Sequence, residues 1–188
     1  MAQSPTIGAA CPMRIDADAL ALFRAWTARW DRLGAQIVNT CRIWIPGRPV
    51  PKGRPRAWRD PRSGRARLVT PQATRDYERH VSDVCSRVGV DVPESWDGIV
   101  MGAHVCSVHG RSRREQTRGR AALQLKGRHR ADLDNIVKSV LDGVQRSPLM
   151  VDDSHVVGIE SWRMIAPPEE PRVQGVLLGL VWARVAGL

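Results

Sequence analysis

Residues 130–143 read RADLDNIVKSVLDG. Ile136, Val137, Val140 and Leu141, with Val144 just beyond, recur at spacings of three and four, which predicts one apolar side of a helix. Asp132 and Asp134 stand at its start and Gly143 near its end. A second acidic pair, Asp152-Asp153, follows in VDDSHVVGIESWRM (residues 151–164), where β-branched residues lead into a strand. Helix, acidic turn and strand in that order set the pattern for the rest of the chain.

Upstream, TPQATRDYERHVSDVCSRVG (70–89) predicts a second helix. Thr70 is its expected cap, Pro71 its first turn and Gly89 its close. Tyr77, Val81, Val84 and Val88 are its expected inner face. GIVMGAHVCSVHG (98–110) reads as a strand, with His104 and His109 in structural or surface positions. NTCRIWIPG (39–47) reads as a short strand stopped at Pro46-Gly47. HVVGIESWRMI (155–165) and RVQGVLLGLVWARV (172–185) read as two strands, and the Pro167-Pro168 turn between them suggests an antiparallel pair. Residues 1 to about 14 read as disordered. DADALALFRAWTARWDRLG (16–34) reads as a helix capped by Asp16 or Asp18, with Leu22, Trp26, Trp30 and Leu33 as a stripe. The sum is an α+β fold with α/β character: one mixed sheet packed by helices. The expected division is an N-terminal extension over 1–40 and a main domain over 41–188.

The 188 residues are 43% hydrophobic, enough for one cored domain. The formal net charge is +10 and the pI about 10.8. Such a chain commonly meets a polyanion, nucleic acid above all, although an arginine-rich codon bias is the bland explanation. Cys11, Cys41, Cys85 and Cys106 are scattered, with no metal-ligand spacing, and read as reduced thiols. Neither a signal peptide nor a membrane-spanning run is visible, so a cytoplasmic location is expected.

The charge concentrates between Arg48 and Arg67. Arg48, Lys52, Arg54, Arg56, Arg59, Arg62, Arg65 and Arg67 face one acid there, Asp60. Prolines at 49, 51, 55 and 61 forbid a helix. An extended or hairpin-like basic loop of this kind can follow phosphates, and Trp58 within it can stack on an exposed base. The bland alternative is a solvated loop with Trp58 tucked onto the core. RSRREQTRGRAALQLKGRHR (111–130) is a second basic, irregular stretch, read as a surface insertion.

The acids have bland readings too. Asp132 can be an N-cap, Asp134 can favour the helix dipole, and Asp152-Asp153 can mark a turn. An EF-hand fails, because Ile136 and Val137 occupy a ligand position and the glycine position. A hard-cation site fits better. Asp132 before the helix, Asp134 in its first turn and Asp153 before the strand can aim at one point. Lys138, four residues after Asp134, lies on the same side and can hold a phosphate. Chemistry alone thus favours a metal-dependent nuclease over a set of caps and turns.

ADLDNIVKSVLDGV followed by VDDSHVVGIESWRM resembles the signature of the RusA family of Holliday junction resolvases. IPGRPVPKGRPR and TPQATRDYE resemble early segments of its phage-type branch, and the likeness spans roughly residues 41–185. The resemblance implies Asp132, Asp134 and Asp153 as catalytic acids holding Mg2+, with Mn2+ as a substitute ion, and Lys138 as the catalytic lysine. Asn135 and Asp152 match the motif as supporting residues. Arg163 stands where a basic residue is usual and joins Arg48, Lys52, Arg54, Arg56, Trp58 and Arg59 as an expected DNA contact. The family further implies a homodimer that binds a four-way DNA junction, away from any membrane, and nicks two strands symmetrically in recombination and repair. Two other activities share these features: branched-DNA binding without cutting, and a broader flap or fork nuclease. The first forty residues and the insertion from Gly110 to His129 depart from the compact family pattern and bear on dimerisation or branch preference.

Overall fold

The computed structural model describes residues 6–7, 25, 27–29, 32, 34–62, 64–107, 132–165 and 174–185. The strands are β1 (Thr6–Ile7), β2 (Ala35–Pro46), β3 (Arg56–Arg59), β4 (Ala66–Val69), β5 (Gly98–Ser107), β6 (Val156–Ile165) and β7 (Gly175–Val185). The helices are α1 (Gln72–Arg87) and α2 (Leu133–Gln145), and a one-turn 3-10 helix spans Asp153–His155.

The main sheet runs β1-β2-β7-β5-β6, and β3-β4 form a separate two-stranded sheet. β2 and β5 each pair antiparallel with β7, whereas β6 pairs parallel with β5. Strand periodicity explains which residues are inside. Cys41, Ile43 and Ile45 of β2, Ile99, Met101, Ala103 and Val105 of β5, and Val176, Leu178, Leu180 and Trp182 of β7 all enter one core. That core is closed by Tyr77, Val81 and Cys85 of α1 and by Ile136, Val137, Val140 and Val144 of α2. Both helices therefore cover the same face. The alternate residues Val100 and Val181 are buried on the other face, with Ile37 packed beside them.

The expected hairpin between the last two strands does not form: β5 lies between β6 and β7. β7 is apolar almost throughout and buried on both faces, which suits a central strand. β6 is half-polar and takes the sheet edge. The linking Pro167-Pro168 segment lies outside the described residues.

Other expectations change in detail. β2 begins at Ala35, earlier than the NTCRIWIPG reading, so the main sheet takes in residues on both sides of position 40. Thr6–Ile7 pair with Cys41 and Arg42 of β2, where disorder was expected. Pro71, not Thr70, holds the cap position of α1, and its carbonyl accepts from the Thr74 and Arg75 amides. Gly89 does close that helix, in the left-handed region at φ +59°. Ala25, Thr27 to Arg29 and Arg32 are helical, as the N-terminal helix reading requires. The proposed caps Asp16 and Asp18, the stripe Leu22, Trp26, Trp30 and Leu33, His109, Cys11 and the insertion over 110–129 lie outside the described residues.

Arg29 forms an ion pair with Glu160 of β6 at 3.3 Å. Glu160 is in register with Gly102, between the inward residues Met101 and Ala103, so it belongs to the face without α1 and α2. On that face too, the His104 and Trp162 rings lie 4.8 Å apart. Burial lowers the His104 pKa below its ordinary value. Cys41 and Cys85 are buried free thiols, in keeping with the reduced reading. Among the described residues no helix is long and apolar enough to cross a membrane.

Candidate active site

α2 brings most of the acidic motif together. Asp132 occupies its cap position with extended backbone (φ −66°, ψ 141°), yet the carboxylate makes no capping hydrogen bond. The Asp132 carbonyl instead starts the helix by accepting from the Ile136 amide at 3.2 Å. The usual job of an N-cap aspartate is thus left undone, and an oxygen ligand is spare.

One turn on, Asp134 and Lys138 form the expected i, i+4 pair, Nζ to Oδ2 at 3.3 Å. Their side chains are 65% and 62% exposed, so the pair is a weak one in water and both groups remain accessible. Ile136, Val137, Val140 and Val144 hold this face of α2 outward by burying the opposite one.

The second acidic pair divides. Asp152 caps the 3-10 turn by accepting from the Ser154 amide at 2.8 Å. The Ser154 side chain first and the Ser154 amide second, with a smaller effect of His155, hold its carboxyl below the ordinary carboxylate range. Asp152 therefore has the turn role that the bland reading gives it. Asp153 begins the turn and is exposed, and the turn packs against α2. The His155 and Trp96 rings meet edge to face at 5.0 Å and brace the turn.

These donors have the chemistry a hard cation wants. Mg2+ needs only one or two protein carboxylates, with water and phosphate oxygens completing its shell. The spare carboxylate of Asp132 and the exposed one of Asp134 fit that demand. A closed cage is not built: among the described residues no three acidic, histidine or cysteine side chains are grouped closely enough to hold an ion.

The basic stretch folds as the β3-β4 hairpin, with Arg56, Ala57, Trp58 and Arg59 opposite Val69, Leu68, Arg67 and Ala66. All four β3 residues are exposed, Trp58 by 50%, and so is Leu68 of β4, opposite Ala57, by 77%. Trp58 is therefore not tucked onto the core. Asp60, the acid of this stretch, has a structural reason to be there. Its amide donates to the Arg65 carbonyl (3.0 Å), its carbonyl accepts from Gly64 (2.8 Å), and its Oδ1 accepts from the Arg62 amide (2.9 Å). Together these close the hairpin turn. Arg48 and Arg54 are also exposed. Arg163 lies half-buried in β6, opposite Val105.

Lys52 has a different setting from the other cations of the stretch. Its Nζ donates to Glu78 Oε1 at 2.7 Å and to Asp142 Oδ2. Burial alone would lower its pKa, but these two hydrogen bonds and charges raise it above the ordinary 10.5. Glu78 is 1% exposed and also pairs with Arg146 at 2.9 Å. The Lys52 amide donates to the Asn135 carbonyl at 2.7 Å, so the loop is bonded to the first turn of α2. Glu78, Asp142 and Arg146 were not singled out from the sequence. Their signal was a glutamate inside the buried stripe Thr74, Tyr77, Val81 and Cys85.

No curated protein matches the chain closely. The family model for endodeoxyribonuclease RusA matches residues 46–174. That match takes in the basic hairpin, α1, α2, the acidic turn and the parallel strands β5 and β6, which is well over half of the sequence. With the acids, the lysine and the hairpin arranged as described, the chain belongs to the RusA family of endodeoxyribonucleases.

Proposed function

We propose that this chain is a Mg2+-dependent endonuclease that resolves Holliday junctions, acting as a homodimer that nicks paired strands symmetrically in recombination and repair. The observation that carries the reading is the uncapped Asp132 carboxylate, beside Asp134 and Lys138, on a helix whose first turn is bonded to the root of a basic hairpin.

In this reading Asp132 and Asp134 would hold the cation, and Asp153 would join them only as the bound cation draws the acidic turn towards α2. Bound there, Mg2+ would polarise a phosphoryl oxygen and ease formation of the attacking hydroxide. Lys138 offers a mobile ammonium to a phosphate oxygen and stabilises charge as the bond breaks. The hairpin arginines neutralise phosphates and orient the strand, while Trp58 offers a stacking surface to an unpaired base. Asp152 keeps the turn in shape and stays ionised while doing so. Two copies with one site each suit a substrate with two-fold symmetry.

The test compares wild type with Asp134→Asn on a labelled four-way junction, with Mg2+ and with EDTA. Metal-dependent paired nicks are expected from wild type, and unaltered junction binding with cutting lost by about 100-fold or more from the variant. Equal cutting by both proteins would falsify the reading. A second reading, branched-DNA binding without cleavage, is favoured by the absence of a three-group cluster among the described residues. Tight binding with no nick under Mg2+ or Mn2+ would select it. Rates on a flap, a fork and a plain duplex measure how far the preference is for junctions.

A further inference from the structure

We propose that Lys52 is a positioning residue: it locks the root of the basic hairpin onto the first turn of α2 and so sets which phosphodiester reaches the acids. The inference rests on the nuclease reading above.

The root is held from several directions. The Lys52 amide donates to the Asn135 carbonyl at 2.7 Å, next to Asp134. The Lys52 ammonium reaches Glu78 on α1 and Asp142 on α2. Arg146, just past the end of α2, holds the other oxygen of Glu78 at 2.9 Å. The Gly53 amide donates to Thr74 Oγ1 at 3.1 Å, and that hydroxyl donates to the Pro51 carbonyl at 3.3 Å. Gly53 sits so close to α1 that a Cβ would lie 2.7 Å from Pro71 Cγ. From Arg54 to Arg59 every residue is exposed. The hairpin is therefore an arm that projects from a clamped root.

Charge argues against a direct phosphate contact. An ammonium shared by two carboxylates has no net positive field left to offer a phosphate, unlike the exposed arginines beyond it. Length gives the consequence. Successive nucleotides of one strand rise by about 3.4 Å along the duplex axis and their phosphates lie farther apart still, so a root displaced by several ångströms offers the acids a neighbouring phosphodiester. Smaller displacements reduce turnover without releasing the DNA.

The experiment maps nick positions and kcat on an end-labelled junction at saturating protein for wild type, Lys52→Met, Lys52→Arg and Gly53→Ala. Hydrogen exchange of the free full-length chains is measured beside it. Lys52→Met and Gly53→Ala are expected to bind the junction within about threefold of wild type, lose about tenfold or more in kcat, and scatter their nicks onto adjacent positions. Residues 52–60 should lose exchange protection in both variants while α1 and α2 keep theirs. Lys52→Arg, which can reach both carboxylates, should restore a single nick position.

Unchanged nick positions, kcat and exchange in Lys52→Met would overturn the proposal. So would weakened junction binding with the nick pattern intact, because that is the signature of a phosphate contact. If Lys52→Met does not fold, Gly53→Ala carries the comparison, since it disturbs the same root and removes no charge. A wild-type chain that cuts nothing sinks the nuclease reading, and the anchoring then stands or falls on exchange alone.

Discussion

Asp132 and Asp152 each stand one residue before a helical turn, and their carboxylates do different things. Asp152 accepts from the Ser154 amide, whereas Asp132 makes no capping bond. Sequence shows the positions but not this difference, because capping depends on a rotamer that spacing does not encode. The same limit applied to Lys52, the one lysine among eight cations between Arg48 and Arg67, whose partners Glu78 and Asp142 lie on helices distant in sequence. The cysteines were easier, since scattered thiols without ligand spacing read as reduced, and the structure adds that Cys41 and Cys85 are buried. Burial pushes Cys41 and Cys85 up to about 12 each. A raised thiol pKa favours the protonated form in the fold. Stability from these two groups is therefore complete below their unfolded value of 9.0 and is lost as pH climbs towards 12. Lys52, raised from 10.5, adds to the alkaline loss, because its charged form is the one that pairs. In a Cys11→Ser/Cys106→Ser background the native protein should resist a thiol reagent at pH 8. Two thiols should react on unfolding, as counted by mass spectrometry. Rapid labelling of the native form would contradict their burial.

α1 and α2 were both legible because each writes an apolar stripe at helical spacing, and their packing turns on one glycine. Gly143 reads as a helix end, but α2 continues to Gln145, and the glycine faces α1. A Cβ there would lie 2.5 Å from Val81 Cβ and 2.8 Å from the Glu78 carbonyl. Gly143→Ala should therefore destabilise the chain by about 1–3 kcal/mol, the usual cost of overpacking. For a chain of this size that lowers the melting temperature by roughly 2–4 °C per kcal/mol. Adding Val81→Ala would remove only the Cγ1 contact and leave the Val81 Cβ and the Glu78 carbonyl in the way, so the double variant should stay less stable than wild type, and thermal melts of the single and double variants check it. Strand pairing was less legible than helices. Periodicity identifies which residues share a face of β6 or β7 but carries no information about the neighbour across the ladder. Proximity in sequence suggested a hairpin, and the apolar character of β7 on both faces was the sign that it belongs in the middle instead. The β3-β4 hairpin was readable as basic and extended, but the exposed Leu68 opposite Ala57 was not, since a leucine in a strand is ordinarily inside.

The net charge of +10 is spread unevenly, with the arginine hairpin and the acids of α2 joined at Lys52 and Asn135. Junction binding should weaken steeply with salt. Each hairpin arginine that contacts a phosphate should contribute about 0.9 to the slope of log affinity against log salt on duplex arms. Titrations of wild type and an Arg56→Ala/Arg59→Ala/Arg67→Ala variant measure this, and an identical slope would remove the hairpin from the DNA interface. The strand order also has a consequence for how the chain comes into being. β7, which separates β2 from β5, follows every other described element in the chain. During synthesis β2 and β5 must wait for it, with Ile43, Ile45, Ile99 and Met101 lacking the strand that joins them into one surface. A ribosome that stops before Gly175 releases a chain with no way to build its core. Contacts this distant in sequence make folding slow and expose apolar strands for longer.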